Sequence, residues 1–272
     1  MTQRNARMMD LRAGELQRSH DPSLAWKTSA LYLGLPALRG FWPMGAQSIT
    51  GSTIYAVNQG GQDSDHDLTL INTLGTAVFG YESLVPWAKV YGTNGTATYL
   101  TIGTDAETYD IIGNETYIDD PGLTVGAWWK FDSAIKVEGL MDKEAGVPNI
   151  SWSMAKTNTG TIQFSVSGDG TAVVNALSSN AIDITSWHLI IGRYDPGAEL
   201  VVFMDGVKGT PVVAAIPATL YDSSAYLEIG NSVSGFTQTD YKLVSRAFIC
   251  ASRLSDAMCQ AIWHHTRATY GR

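Results

Sequence analysis

Cysteine is nearly absent: the 272 residues contain only Cys250 and Cys259. One possible pair makes no disulfide framework, and without a third or fourth ligand at metal spacing it makes no zinc site, so both are read as free thiols. Charge is also sparse, at 16% of the residues, and 18 Lys and Arg face 26 Asp and Glu for a net charge of −8. A chain with a pI near 5.0 repels a phosphate backbone, so no nucleic-acid partner is expected. No apolar stretch approaches a membrane span, and the first 22 residues lack the apolar core of a secretory leader. No membrane partner is therefore expected, and synthesis is expected in the cytosol. The Asn-x-Ser/Thr triplets at Asn94, Asn114 and Asn149 are accordingly read as turns rather than glycosylation sites.

Catalytic signatures are missing as well. There is no Gly-x-Ser-x-Gly elbow, no phosphate-cradling glycine loop, and none of the Glu-x-Asp-x-x-Glu or Glu-x-Asp-x-Glu strings that would set an acid and a nucleophile on one strand face. Glu138, Asp142 and Glu144 are read as a solvated loop, and no enzymatic activity is expected. His188, following Trp187, is read as structural, and His264 and His265 as lying on a closing helix.

What is present is a succession of short apolar runs separated by Gly, Pro, Asn and Asp, the signature of strands and turns. The runs are 38–44, 68–71, 98–102, 123–131, 161–167, 187–194, 200–204, 225–229 and 242–250, about the number that two stacked sheets require. Asp205-Gly206 between apolar runs predicts a tight hairpin. Ser255 is a helix-cap candidate, and Met258, Ile262 and Trp263 share one face of the helix that would follow. Residues 1–30 are expected to form an arm, helical or extended, that docks on a partner because its weak apolar stripe (Met8, Met9, Leu11, Leu16) has no core of its own. The expected domain occupies 31–272. The expected fold class is mainly β, a two-sheet antiparallel jelly-roll sandwich with a short N-terminal helical arm and a C-terminal helix.

Several blocks in order carry a resemblance. Leu123-Thr124-Val125-Gly126-Ala127-Trp128-Trp129-Lys130-Phe131, Ser186-Trp187-His188-Leu189, the Asp205-Gly206 turn, Leu227-Glu228-Ile229-Gly230-Asn231 and Arg253-Leu254-Ser255-Asp256 resemble the strand blocks of laminin-G-like domains in the concanavalin A-like lectin/glucanase superfamily. The resemblance runs over about 38–270. It departs where the family often has an acidic residue before the penultimate strand, since Ser245 and Arg246 stand there. Leu38-Arg39-Gly40-Phe41-Trp42-Pro43-Met44 resembles the opening of tailed-phage structural proteins.

These resemblances imply a structural or interaction protein of a virion, assembled in the host cytoplasm, decorating a capsid or tail and bound to other virion proteins or to itself as a homo-oligomer. The alternative is a carbohydrate-binding lectin module, possible also outside the cell, with glycans as partners. Asp63, Asp65 and Asp67, alternating in an extended segment, are candidate oxygen ligands for calcium, with a solvated turn as the bland reading; no other cofactor is expected. Trp42, Trp128, Trp129 and Trp187 fall in apolar blocks and are assigned to the core. Trp87 and Trp152 lie nearer turns and are the candidate exposed ligand contacts.

Overall fold

A computed structural model describes residues 31–32, 34–44, 47–50, 53–56, 68–72, 79–82, 85–93, 96–102, 122–133, 136–230 and 241–272. The expected arm (1–30) and the calcium candidates Asp63, Asp65 and Asp67 lie outside these residues. The described strands are β1 (Leu38–Trp42), β2 (Gln47–Thr50), β3 (Thr53–Ala56), β4 (Leu68–Asn72), β5 (Phe79–Glu82), β6 (Val85–Thr93), β7 (Thr96–Ile102), β8 (Leu123–Phe131) and β9 (Glu138–Glu144). They continue with β10 (Ile150–Lys156), β11 (Ile162–Gly170), β12 (Val173–Leu177), β13 (His188–Asp195), β14 (Glu199–Met204), β15 (Val207–Lys208), β16 (Leu227–Ile229) and β17 (Tyr241–Cys250). Helix α1 (Asp256–Thr266) and a 3-10 turn (Arg267–Tyr270) close the chain.

The chain is mainly β, and every pairing among the described strands is antiparallel. In the first sheet β17 lies beside β8, followed by β13, β14 and β15, while β1 and β6 share its other edge. The second sheet runs β2, β3, β4, β7, β16, β9, β10, β11, β12. The β6–β7 hairpin joins the two. This is a jelly-roll-type sandwich, as the spacing of the apolar runs predicts.

Strand alternation explains why the central runs look continuously apolar. In β8, Val125, Ala127 and Trp129 enter the core between the sheets, whereas Trp128 points to the opposite face. In β14, Leu200, Val202 and Met204 face inward, and Val201 and Phe203 face the other way. That second face is covered by α1, the terminal turn and the segment around Tyr32, so these strands are buried on both sides. Trp128 stacks on Tyr270 with centroids 3.9 Å apart and donates its indole N–H to Thr266 Oγ1 at 3.2 Å.

The helix begins where the sequence predicts. Ser255 Oγ accepts the Met258 N–H at 3.2 Å, and Asp256 sits in the first turn, favourable to the helix dipole. The Asp205-Gly206 hairpin is present, with φ of 54° and 77° at its two central residues. Gly206 is required twice over: its φ lies in the left-handed region, and an added Cβ would meet Trp263 Cδ1 of α1 at 2.6 Å. Asp205 also holds His188 Nδ1 at 2.7 Å, accepts the Leu189 N–H at 3.0 Å and accepts Arg272 at 2.9 Å. His188 is thus structural, as expected, and the turn ties β13 to the C-terminus.

Two expectations are corrected. Residues 138–144 form strand β9 rather than a loop, and Glu138, Asp142 and Glu144 are buried rather than solvated. The strand forms because it is paired on both sides, with β10 and β16. Trp152 is 1% exposed rather than a surface aromatic. It alternates with Ser151 and Ser153 on β10 and packs in the core between the sheets with Met154.

Candidate functional site

A charged cleft of about 340 Å³ is lined by Arg193, Asp195, Glu199, Lys208, Arg253 and Asp256. Its charges pair with one another. Arg193 contacts both Glu199 and Asp256, Lys208 Nζ lies 3.0 Å from Glu199 and 3.1 Å from Asp256, and Arg253 lies 2.6 Å from Asp195. Burial would raise the Glu199 carboxyl, but hydrogen bonds from Lys208 and Arg193 hold it below the usual carboxylate range. Arg193 also donates to Leu254 O at 3.0 Å, so the cluster fastens the start of α1 to the sheet. It serves as a staple, with no charge left over for a ligand.

The outer face of the second sheet is different. Register places Thr101 opposite Glu228, Glu228 opposite Asp142, Asp142 opposite Ser153, Ser153 opposite Ser165, and Ser165 opposite Asn175. Directly opposed residues point to the same side, so these six form one polar row across β7, β16, β9, β10, β11 and β12. At about 4.8 Å per strand the row is roughly 24 Å long. The adjacent row, Leu100, Ile229, Met141, Met154, Phe164 and Ala176, is apolar, at most 1% exposed, and points into the core. One residue of register therefore separates core from candidate site.

Within the row, Asn175 is exposed and Ser153 half-buried, while Asp142, Glu228, Thr101 and Ser165 are buried. Gln163, also on β11, donates to Ser165 Oγ at 3.0 Å. Thr101 Oγ1 and the Asp142 carboxyl are buried, and no side-chain donor among the described residues meets them. Such groups are costly to leave unmet. Burial, then the carboxylates of Glu144 and Glu228, push the Asp142 carboxyl well above its ordinary range; Lys242 and the Glu144 N–H oppose this only in part. Burial and Glu228 likewise raise Tyr99, on β7 two residues from Thr101.

A second buried charge group lies at the end of the core. Lys156 Nζ is 3.2 Å from Glu138 Oε1 and donates to Lys136 O. Despite this pairing Glu138 is raised, because burial outweighs Lys242 and Lys156. Burial lowers Lys242 to about 8.

Asp142→Asn is expected to stabilise the protein at pH 7.5 by about 1–3 kcal/mol, because the neutral amide removes the cost of ionising a buried carboxyl beside Glu144 and Glu228. A carboxyl raised in the folded state contributes stability that is complete below the unfolded value near 4 and is lost as pH rises through the folded value. The advantage of the variant should therefore grow from pH 4 to 7.5. Thermal unfolding across that range measures it, and identical curves for both proteins would show that Asp142 carries no burial cost.

Of the residues singled out from sequence, Trp87 is half-buried on β6, packed beside the face under α1 and over Gly80. Trp152 is in the core, and neither joins the polar row. His264 and His265 are exposed on α1. Among the described residues no group of three or more His, Cys, Asp or Glu is arranged to hold a metal ion.

The mainly β, two-layer sandwich agrees with a comparison of sequences: residues 93–243 match the laminin-G-type family described as the concanavalin A-like lectin/glucanases superfamily. The chain belongs to this superfamily. No curated protein matches it in sequence. Among solved structures, the binding domain of botulinum neurotoxin serotype D/C VPI 5993 is similar in fold, with TM-score 0.58, 8% identity, and coverage of 84% of this chain and 52% of that chain. The botulinum neurotoxin DC binding domain in complex with rat synaptotagmin II gives TM-score 0.58, 9% identity and coverage of 84% and 51%. A botulinum neurotoxin type C structure, described as dependent for cell entry on two ganglioside molecules, gives TM-score 0.58, 8% identity and coverage of 84% and 51%. The superfamily member thus spans about half the length of these chains, and the likeness is one of fold. Its concanavalin A-like sandwich is shared in fold with these toxin binding domains.

Proposed function

We propose that this chain is a non-catalytic carbohydrate-binding module whose ligand lies along the outer polar row of the second sheet. The observation that carries the reading is the polar row itself, in which the accessible Ser153 and Asn175 lie in line with Thr101 Oγ1 and the Asp142 carboxyl, which no side-chain donor among the described residues meets. Sugar hydroxyls bring several donors and acceptors to such a surface. Tyr226, two residues before Glu228 and 49% exposed, and the half-buried Tyr99 supply aromatic surface at the acidic end. The ganglioside dependence described for the type C toxin supports a sugar-binding use of this architecture.

Calcium held by Asp63, Asp65 and Asp67 is a proposed aid to binding. The virion reading has the resemblance of Leu38–Met44 as its support, and the glycan reading is preferred because the row is a concrete site.

The test is a glycan array followed by calorimetric titration, with calcium and with chelator, on the intact chain and on Ser153→Arg. Ser153 lies mid-row and half-buried, so a long side chain there should obstruct a ligand. At least a tenfold loss of affinity, with little change in melting temperature, is expected. A wild-type chain that binds no glycan under either condition would sink the reading.

A further inference from the structure

One margin of the sandwich carries no charge. Residues 170–182 and 209–221 contain no Asp, Glu, Lys, Arg or His, in a chain whose net charge is −8. The fold brings the two stretches together. An added Cβ on Gly209 would meet Leu177 O at 2.7 Å, and Tyr221 N donates at 2.8 Å to the carbonyl of Ser167, the residue opposite Val173. Apolar side chains stand out along this seam, with Val173 44%, Leu177 48% and Val213 70% exposed.

The backbone of the seam is open as well. Strand β12 pairs with β11 and, among the described residues, with no other strand. Ser178 N donates to Ile162 O at 2.8 Å, in the pair that continues the β11–β12 register. Bonded and non-bonded pairs alternate in an antiparallel ladder, so Val174 and Ala176 bond to β11 while Val173, Asn175 and Leu177 turn their backbone groups away from it. The Leu177 carbonyl lies against Gly209. The N–H and C=O of Val173 and Asn175, and the Leu177 N–H, enter no hydrogen bond among the described residues. Lys208 and Pro211 guard the neighbouring margin of the first sheet against strand addition, whereas Val173-Val174-Asn175-Ala176-Leu177 has neither a charge nor a proline.

We infer that β12 is the contact strand of a homodimer, in which two copies of this chain pair β12 with β12, antiparallel, about a two-fold axis at Asn175. Each Asn175 then exchanges hydrogen bonds with its mate, and each Leu177 N–H reaches the Val173 carbonyl of the other copy. Val173 and Leu177 meet side by side across the pair, an apolar contact on the exposed face. Two features select a second copy as the occupant. The strand is complementary to itself under this rotation, and the seam lets two chains of net charge −8 approach with no charged side chain of their own between them. A five-residue strand offers less than the roughly 1,000 Å² of a stable interface, so the dimer is expected to be reversible, with a dissociation constant of about 1–100 μM. This inference does not depend on the carbohydrate reading. Where both hold, the polar rows of the two copies, each ending at Asn175, run end to end for roughly 50 Å.

The experiment is sedimentation equilibrium of the full chain from about 1 to 500 μM, with Leu177→Lys and Asn175→Pro as variants. The wild type is expected to pass from monomer to dimer, more tightly at high salt than at low, because added ions screen the repulsion between two acidic chains. Leu177→Lys places a charge on the seam. Asn175→Pro removes an N–H that points away from β11, so it leaves the internal ladder whole and blocks only an added strand. Each variant is expected to weaken dimerisation at least about tenfold while melting, in dilute solution, within about 3 °C of the wild type. A wild type that stays monomeric throughout overturns the inference and leaves the carbohydrate reading untouched. A dimer that dissociates as salt rises, or one that survives both substitutions, overturns the location. Loss with Leu177→Lys but not with Asn175→Pro overturns the strand pairing.

Discussion

Trp152→Ala is expected to lower the free energy of unfolding by about 3–5 kcal/mol, the range for truncating a fully buried tryptophan. Its indole is 1% exposed and lies in the core between the two sheets, so the variant leaves a cavity lined on both sides. Trp87→Ala should cost far less, about 1 kcal/mol, because that ring is half-buried at the margin of the face under α1. Urea midpoints of the two variants separate the cases. Equal losses would mean that β10 does not present Trp152 to the core, and with that the direction of Ser153 to the outer row would fail too. Stability is thus also a test of which way the proposed binding face points.

Arg193→Ala should be the most damaging change outside the apolar core, at about 2–4 kcal/mol. Its guanidinium is nearly buried, lies 5.1 Å from the Phe203 ring centroid, and joins Glu199, Asp256 and Leu254 O. Removing one member of a buried ion pair typically costs about 3–5 kcal/mol; the figure is reduced here because the Asp256 side chain is 49% exposed and remains paired with Lys208. Arg193→Lys should recover only part of the loss, since an ammonium cannot reach three acceptors in a planar fork. Unfolding midpoints, with tryptophan fluorescence reporting α1 detachment through Trp263, check this. A change below about 0.5 kcal/mol, the scale of an ordinary surface substitution, would show that the staple is decorative.

Much of the architecture was legible along the chain. The runs at 123–131, 200–204 and 242–250 appear as β8, β14 and β17, and the Asp205-Gly206 turn and Ser255 cap form as local chemistry requires. Strand β9 was not legible, because Glu138-Gly139-Leu140-Met141-Asp142-Lys143-Glu144 carries four charges in seven residues and looks solvated. It becomes a strand through its neighbours: Lys156 answers Glu138, and backbone pairing with β10 and β16 satisfies the main chain. Trp152 was misplaced for a related reason. A tryptophan between serines near a turn reads as polar surroundings, yet in a strand those serines occupy the opposite face.

The candidate row was half legible. Alternation in Ile150-Ser151-Trp152-Ser153-Met154 and in Gln163-Phe164-Ser165-Val166-Ser167 shows that β10 and β11 each have a polar side. What joins Thr101, Glu228, Asp142, Ser153, Ser165 and Asn175 is the register of six strands drawn from positions up to 127 residues apart in sequence. Period, turn chemistry and capping act over a few neighbouring residues, so the sequence by itself determined the strands, the hairpin, the closing helix and the sandwich class. Register and burial depend on which distant strands meet. Tertiary structure alone therefore decided that Asp142 is buried beside two carboxylates, that Trp152 is core, and that a polar row crosses the second sheet.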